Sequence, residues 1–191
     1  MRPPSVARET VIERLARAFR SDGFERATLR KLSHDAGLER ASLYHRFPGG
    51  KAEMIAAALE YAAGEFERRV LSALLAPGSP AERFDAMLNG LDRYYERGAE
   101  PCMLGTLALE MPSDTFGRAV RAGFDRWIGL LEALFREEGL GEAESSARAL
   151  EVVALVQGAL LITRGLQRRE VFQELIARAR RSYPRFHVRT E

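Results

Sequence analysis

Residues 28–47 read Thr28-Leu-Arg-Lys-Leu-Ser-His-Asp-Ala-Gly37-Leu-Glu-Arg-Ala-Ser-Leu-Tyr44-His-Arg-Phe47. Two short runs with apolar residues three and four apart flank a glycine. The Thr28 hydroxyl is placed to cap the start of the first run, and Gly37 tolerates the left-handed backbone that ends a helix. The spacing predicts helix, tight turn, helix. Leu32, Ala36, Leu38 and Leu43 then hold the two helices at a fixed angle, and Arg40, Ser42, Tyr44 and His45 face outward from the second. A helix of that kind fits the major groove of DNA, where its side chains meet base edges and phosphates.

The charge around this stretch has one sign. Residues 1–51 hold nine Arg and two Lys against six acids, a balance of +5, while residues 52–191 hold 18 Arg against 21 acids, a balance of −3. A basic quarter on a mildly acidic body fits a polyanion partner or a solvated basic face. The helix-turn-helix decides for double-stranded DNA. Arg30, Lys31, Arg40, Ser42, Tyr44 and His45 are the candidate contacts here.

Outward from the motif the same spacing continues and strand signals are nearly absent, so the fold class is all-α with about nine helices. Val11, Leu15, Ala18 and Phe19 mark a first helix ended by Asp22-Gly23. Met54, Ile55, Ala58, Leu59, Ala62, Phe66, Val70 and Leu74 mark one long fourth helix, ended by Pro77-Gly78. A fifth runs from Pro80 to about Arg97. Glu100-Pro101-Cys102 opens a short helix closed by Met111-Pro112, and Ser113 is placed to cap the next, with Phe116, Val120, Phe124, Trp127, Leu131 and Phe135. Helices at 143–166 and 171–181 complete the chain. Residues 1–51 form an N-terminal three-helix DNA-binding domain, linked through helix four (about 51–76). Residues 52–191 form a second helical bundle.

The motif residues carry a resemblance. The family of tetracycline-repressor (TetR) regulators has a first helix ending in Gly-Phe and a Thr opening the second helix. An Ala-Gly turn, Leu-Tyr-His-x-Phe and a Lys opening helix four follow. This chain reads Gly23-Phe24, Thr28, Ala36-Gly37, Leu43-Tyr44-His45-Arg46-Phe47 and Lys51. Residues 5–60 resemble the DNA-binding domain of that family. The resemblance implies that Thr28, Tyr44 and Lys51 touch phosphates, which position without specifying, and that Arg40, Ser42 and His45 read bases. Tyr44's ring packs between helices on either reading; only its hydroxyl separates a phosphate contact from a water contact. Glu39 departs from the usual Ser or Thr at the recognition-helix cap. It caps poorly, repels phosphate, and is able to accept from a cytosine amine. The resemblance further implies a repressor that binds a pseudo-palindromic operator as a homodimer and is released by a small effector.

Residues 152–162 are apolar or small apart from Gln157, and a helix apolar all round must be buried all round. It is either the core helix of a monomer or faces the core on one side and a second subunit on the other. On the second reading Val153, Ala154, Gln157, Gly158 and Leu161, with Phe172 and Leu175 of the last helix, form a four-helix seam with their two-fold mates. Phe84, Met87, Leu91, Tyr94, Tyr95, Cys102, Met103, Phe124, Trp127 and Gln157 are candidate effector contacts; aromatic and Met walls suit an apolar or aromatic ligand. Gln157 serves either the pocket or the seam, and Glu110 is either a pocket acid or a surface residue. The stretch from Pro101 to Glu110 resembles a Cys-Leu-(apolar)-x-x-Leu-Ala-x-Glu segment of one branch of the family, some of whose members respond to electrophiles through that Cys. Cys102 at a helix start is thus either a reactive thiol or inert packing.

Other classes find little support. His34, His45 and His187 have no metal-ligand spacing, no Gly-rich phosphate loop is present, and Cys102 has no evident His partner. No catalytic residue, metal or cofactor is expected. An architectural DNA binder without a ligand is the alternative from another class. A single Cys, the absence of a signal-like N-terminus, and apolar runs short of the roughly 18–20 residues that span a bilayer lead to the expectation of a soluble cytoplasmic protein without a membrane partner.

Overall fold

The computed structural model describes residues 6–110 and 116–183, all of them helix, turn or loop. Met111, Pro112, Ser113 and His187 lie outside the described residues. Nine α-helices are present among those described: α1 (Arg8–Arg26), α2 (Leu29–Ala36), α3 (Arg40–Arg46), α4 (Gly50–Arg69), α5 (Pro80–Tyr94), α6 (Met103–Ala108), α7 (Gly117–Glu137), α8 (Glu142–Leu166) and α9 (Glu170–Ser182). By contact the chain forms two units, Met1–Glu65 with Met103–Arg121, and Phe66–Cys102 with Ala122–Glu191. These units cut across the linear partition at residue 51. Residues 50–65 of α4, all of α6 and residues 117–121 of α7 belong with the N-terminal helices, because packing does not follow chain order.

The first unit is built around α1. Val11, Leu15 and Phe19 of α1, Leu32 and Ala36 of α2, Leu43 of α3, Phe47, and Met54, Ile55 and Ala58 of α4 are all buried, at 0–1% exposure, and α1 packs on α2 and α6. Thr28 caps α2 by accepting from the Lys31 amide at 3.3 Å. Gly37 takes φ +68° and closes the helix: its N–H donates to His34 and the Leu38 N–H donates to Ser33. That pair of bonds satisfies carbonyls the helix end would orphan, and only a left-handed residue allows it. Arg14 adds a bond from α1 to the Ala36 carbonyl at 3.0 Å, which pins the turn to the first helix.

In the second unit, two of the expected helices are interrupted. The fourth does not continue to Leu74: α4 stops at Arg69, Val70 leaves the helical region (φ −126°), and a tight 3₁₀ turn follows over Leu71–Leu75. Apolar spacing missed the break because a three-residue turn also puts Leu71 and Leu74 on one buried side. Gly90 of α5 fits against the break, where a Cβ would lie 2.6 Å from the Arg69 carbonyl oxygen. Helix α5 opens with a reciprocal capping box between Ser79 and Glu82 and ends at Tyr94, short of the expected Arg97. Glu96, Arg97 and Gly98 then follow with φ of +47°, +57° and +85°. Two consecutive left-handed residues with side chains are costly and persist only where packing holds them.

Helix α8 is apolar on two sides. Ala149, Val152, Val153, Val156, Ala159, Leu160 and Thr163 are buried within the unit. Leu150, Leu161, Ile162 and Leu166 are exposed at 52%, 63%, 47% and 55%. Together these sides make α8 long and apolar enough, by length and composition, to cross a membrane, whereas the uninterrupted apolar run read from the sequence is too short. Small residues flanking the apolar run, such as Ala147 and Ala149, extend the apolar character of the helix beyond it. A core helix of a bundle has the same composition, and the buried side of α8 packs on α9.

Candidate nucleic-acid interface and effector core

Helix α3 divides sharply. Leu43 is buried at 1% exposure and Phe47, just after the helix, at 0%. Arg40, Ser42, Tyr44 and His45 are exposed, as are Thr28 and Arg30. Tyr44 remains 45% exposed, its ring edge beside Gly50 at the start of α4. Glu39 occupies the cap position without a side-chain capping bond. The N-terminal approach to α1 is tied to this helix. Arg46 donates to the Val6 carbonyl at 2.7 Å, Arg8 donates to the Arg46 carbonyl at 3.0 Å, and the Arg8 guanidinium stands 4.9 Å from the centre of the Phe47 ring.

The two lysines behave differently. Lys51 donates to the Glu25 carbonyl at 3.3 Å and stands over the Phe24 ring at 4.5 Å. Neither of these two contacts is to a carboxylate. Lys31 is paired with Asp22 at 2.7 Å and Asp35 at 2.9 Å. Its hydrogen bonds to Asp22 and then Asp35 hold its pKa above the ordinary lysine value, and Lys31 in turn holds Asp35 below the usual carboxylate range. Lys31, a candidate DNA contact, is 45% exposed with these two acids beside it; the (i, i+4) acid is visible in the sequence, Asp22 is not.

The candidate effector residues separate into groups. Trp127, Tyr94 and Tyr95 come together around Phe66, whose ring lies 5.0, 5.2 and 6.3 Å from theirs, and Phe172 extends the cluster from Tyr95 at 6.2 Å. Phe84 is part of a different cluster, with Phe135 at 6.0 Å and Tyr183 at 4.6 Å. Burial raises the Tyr183 hydroxyl's pKa well above the ordinary value, helped by its hydrogen bond to Glu138. Met87 and Leu91 are fully buried on α5, Phe124 and Gln157 are half-buried, and Met103 falls in the first unit. Trp127 Nε1, Gln157 Nε2 and Thr163 Oγ1 are buried with no hydrogen-bond partner among the described residues. Sequence reading missed Phe66, Phe172 and Thr163 here. A threonine in an otherwise apolar helical run was the one available signal for the last.

Of the residues expected at a subunit seam, Ala154 and Leu161 are exposed, Gly158 has no atom within 4 Å of a would-be Cβ, and Leu175 is half-buried. Val153 and Phe172 are buried at 6% and 0% inside their own chain and offer no surface to a partner. Apolar periodicity reports burial without saying against which chain, and both side chains pack within the second unit. Glu110 is neither a pocket acid nor a free surface group: its carboxylate accepts from the Phe24 and Glu25 amides of α1.

Cys102 is buried at 6% exposure and precedes a helix of only six residues. A buried thiol is shielded from reagents. Its reaction with an aromatic disulfide in the native protein is expected to be at least about tenfold slower than in denaturant. Operator affinity after a mild electrophile should match that of Cys102→Ser. Fast native labelling accompanied by loss of DNA binding would assign the thiol a sensing role.

Comparison with known proteins agrees with this geometry. Residues 11–58 match the family model described as bacterial regulatory proteins, tetR family, and residues 80–178 match that of the LmrA/YxaF-like transcriptional regulator C-terminal domain. The HTH-type transcriptional regulator LmrA of Bacillus subtilis is 24% identical over 161 residues, covering 82% of this chain and 86% of that protein. A TetR transcriptional regulator of Legionella pneumophila superposes with a TM-score of 0.82 at 17% identity, over 94% of this chain and 98% of that one. A cysteine mutant of the TetR-family regulator CifR, solved with a 26-base-pair operator duplex, gives a TM-score of 0.78 at 22% identity, over 96% and 100%.

Proposed function

The chain belongs to the TetR family of DNA-binding transcriptional regulators, and from that premise we propose that it acts as a homodimeric repressor whose hold on a pseudo-palindromic operator is released by a small effector. The observation that carries this reading is the division of α3. Leu43 and Phe47 anchor it while Arg40, Ser42 and His45 stand free to read base edges. Thr28, Tyr44 and Lys51 flank it as phosphate contacts. Arg30 adds an exposed charge, and Glu39 penalises non-specific approach. Two such helices related by a two-fold axis read two half-sites, and a dimer seated on promoter DNA excludes polymerase. CifR bound to its operator duplex supports the same mode here.

The exposed side of α8 supports the dimer. Ala147, Leu150, Ala154, Gly158, Leu161 and Gly165 recur three and four residues apart, and the small residues admit a close helix. This set, with Ile162 and Leu166 beside it, replaces Val153 and Phe172 in the proposed seam. The second unit supports the effector. An aromatic cluster that includes Trp127, whose buried Nε1 has no hydrogen-bond partner among the described residues, suits an apolar or aromatic body that brings an acceptor to that N–H.

The test uses a duplex that the wild-type protein enriches from a random-sequence pool. Tyr44→Phe and Lys51→Ala are expected to weaken binding to specific and random DNA alike. Lys51→Ala should also lower the salt slope by about one. Arg40→Ala and Ser42→Ala should instead cost about 1–3 kcal/mol at particular base pairs and relax preference there. Failure of the wild type to enrich any two-fold-related sequence at physiological salt would overturn the reading.

A further inference from the structure

Gly23 breaks the last turn of α1 with φ +78° and ψ −176°. Such a break displaces the backbone groups that a continuous helix would pair four residues apart, the Phe24 N–H and the Arg20 carbonyl among them. Both meet a partner from one short segment far along the chain. The Glu110 carboxylate accepts from the Phe24 amide at 2.8 Å and from the Glu25 amide at 3.1 Å, and the Thr106 hydroxyl donates to the Arg20 carbonyl at 3.1 Å. The glycine is required for φ, and a Cβ on residue 23 would displace that carboxylate from the amides it accepts from. The other side of the same peptide stretch holds Lys51: its ammonium donates to the Glu25 carbonyl and covers the Phe24 ring. Phe24 and Glu25 are thereby bracketed by an acid just after α6 and a base on α4.

We infer that Glu110 is a positioning residue for DNA binding: by fixing the Phe24–Glu25 backbone it sets the place of Lys51 and of the Thr28 start of α2. Two charge-assisted bonds from one carboxylate to adjacent amides form a rigid clamp. Without it the two N–H groups lose their acceptor, the α1 end relaxes, and the surface from which Lys51 reaches a phosphate shifts. Glu110 touches no DNA; it acts through the peptides it holds. The inference rests on the reading of Lys51 as a phosphate contact.

The experiment measures affinity for the enriched duplex across a salt series, by fluorescence anisotropy. The proteins are the wild type, Glu110→Ala, Glu110→Gln, Lys51→Ala and the Glu110→Ala/Lys51→Ala double variant. Glu110→Ala is expected to lose about tenfold in affinity, with a salt slope smaller by about one. Glu110→Gln keeps one acceptor oxygen and should recover part of the loss. The double variant should bind as Lys51→Ala does, because residues acting through one contact are not additive. Hydrogen exchange at the Phe24 and Glu25 amides should accelerate in Glu110→Ala. A salt slope reduced in Lys51→Ala but not in either Glu110 variant overturns the clamp, as does a full additional loss in the double variant. A wild-type slope in Lys51→Ala overturns the phosphate contact itself. Should the alanine variant not fold, Glu110→Gln carries the same comparison, and wild-type affinity and slope in it count against the clamp.

Discussion

Gly158→Asp is expected to leave each protomer folded while splitting the dimer and lowering operator affinity by about a hundredfold or more, the loss that follows when two linked half-site contacts become independent. Within the protomer the substitution meets no obstacle: no atom lies within 4 Å of a Cβ at this position. Aspartate in a helix interior is no worse than glycine. Across a two-fold seam the result is different. In the proposed seam the carboxylate would enter a surface made of Ala154, Leu161 and their mates. An unpaired charge taken out of water costs several kcal/mol. Sedimentation at micromolar concentration should show wild-type dimer and variant monomer, with equal helicity by circular dichroism. A wild type that sediments as a stable monomer removes the seam. A variant that remains dimeric places the subunit contact elsewhere than on this side of α8.

The DNA-binding half was legible because its determinants are local. Thr28, Gly37 and the Leu32, Ala36 and Leu43 spacing lie within 16 residues. Each acts through bonds or contacts with near neighbours, so the sequence order carries the geometry. Even the weak cap at Glu39 could be read from residue type. Lys31 shows where locality ends. Its (i, i+4) partner Asp35 is on the same helix, but Asp22 comes from α1, and the sequence shows nothing of that second carboxylate.

The remaining half was less legible for reasons that differ by residue. Helix four looked continuous to Leu74 since a 3₁₀ turn and an α-helix share a spacing of three. The left-handed Glu96 and Arg97 have no signature at all, being residue types that seldom adopt positive φ. Val153 and Phe172 were assigned to a seam because periodicity detects burial but not the identity of what buries. Glu110 is 85 and 86 residues from the amides it binds, and only the folded chain brings the acid to the Gly23 break. What sequence supplied there was two motifs, Gly23-Phe24 and the Leu-Ala-x-Glu ending at Glu110, without the fact that one accepts hydrogen bonds from the other.

Phe172 leads to the second large effect. Gly98→Ala is expected to destabilise the second unit by about 2–4 kcal/mol, from left-handed strain and overpacking together. At φ +85° any side chain is disfavoured, and a Cβ would lie 2.6 Å from the Phe172 Cβ, 2.9 Å from its Cγ and 3.2 Å from the Thr163 methyl carbon. Phe172 is wholly buried and cannot retreat. For a chain of this length that loss corresponds to a fall of about 5–15 °C in melting temperature. Gly139→Ala separates the two causes. It has the same positive backbone, φ +97°, but open space around it, so it should lose only the strain, about 1–2 kcal/mol. The excess at Gly98 then measures the packing of Phe172 within its own chain. Equal losses at the two positions would mean that Phe172 yields to the extra methyl, and would reopen the last helix as a mobile partner at the subunit seam.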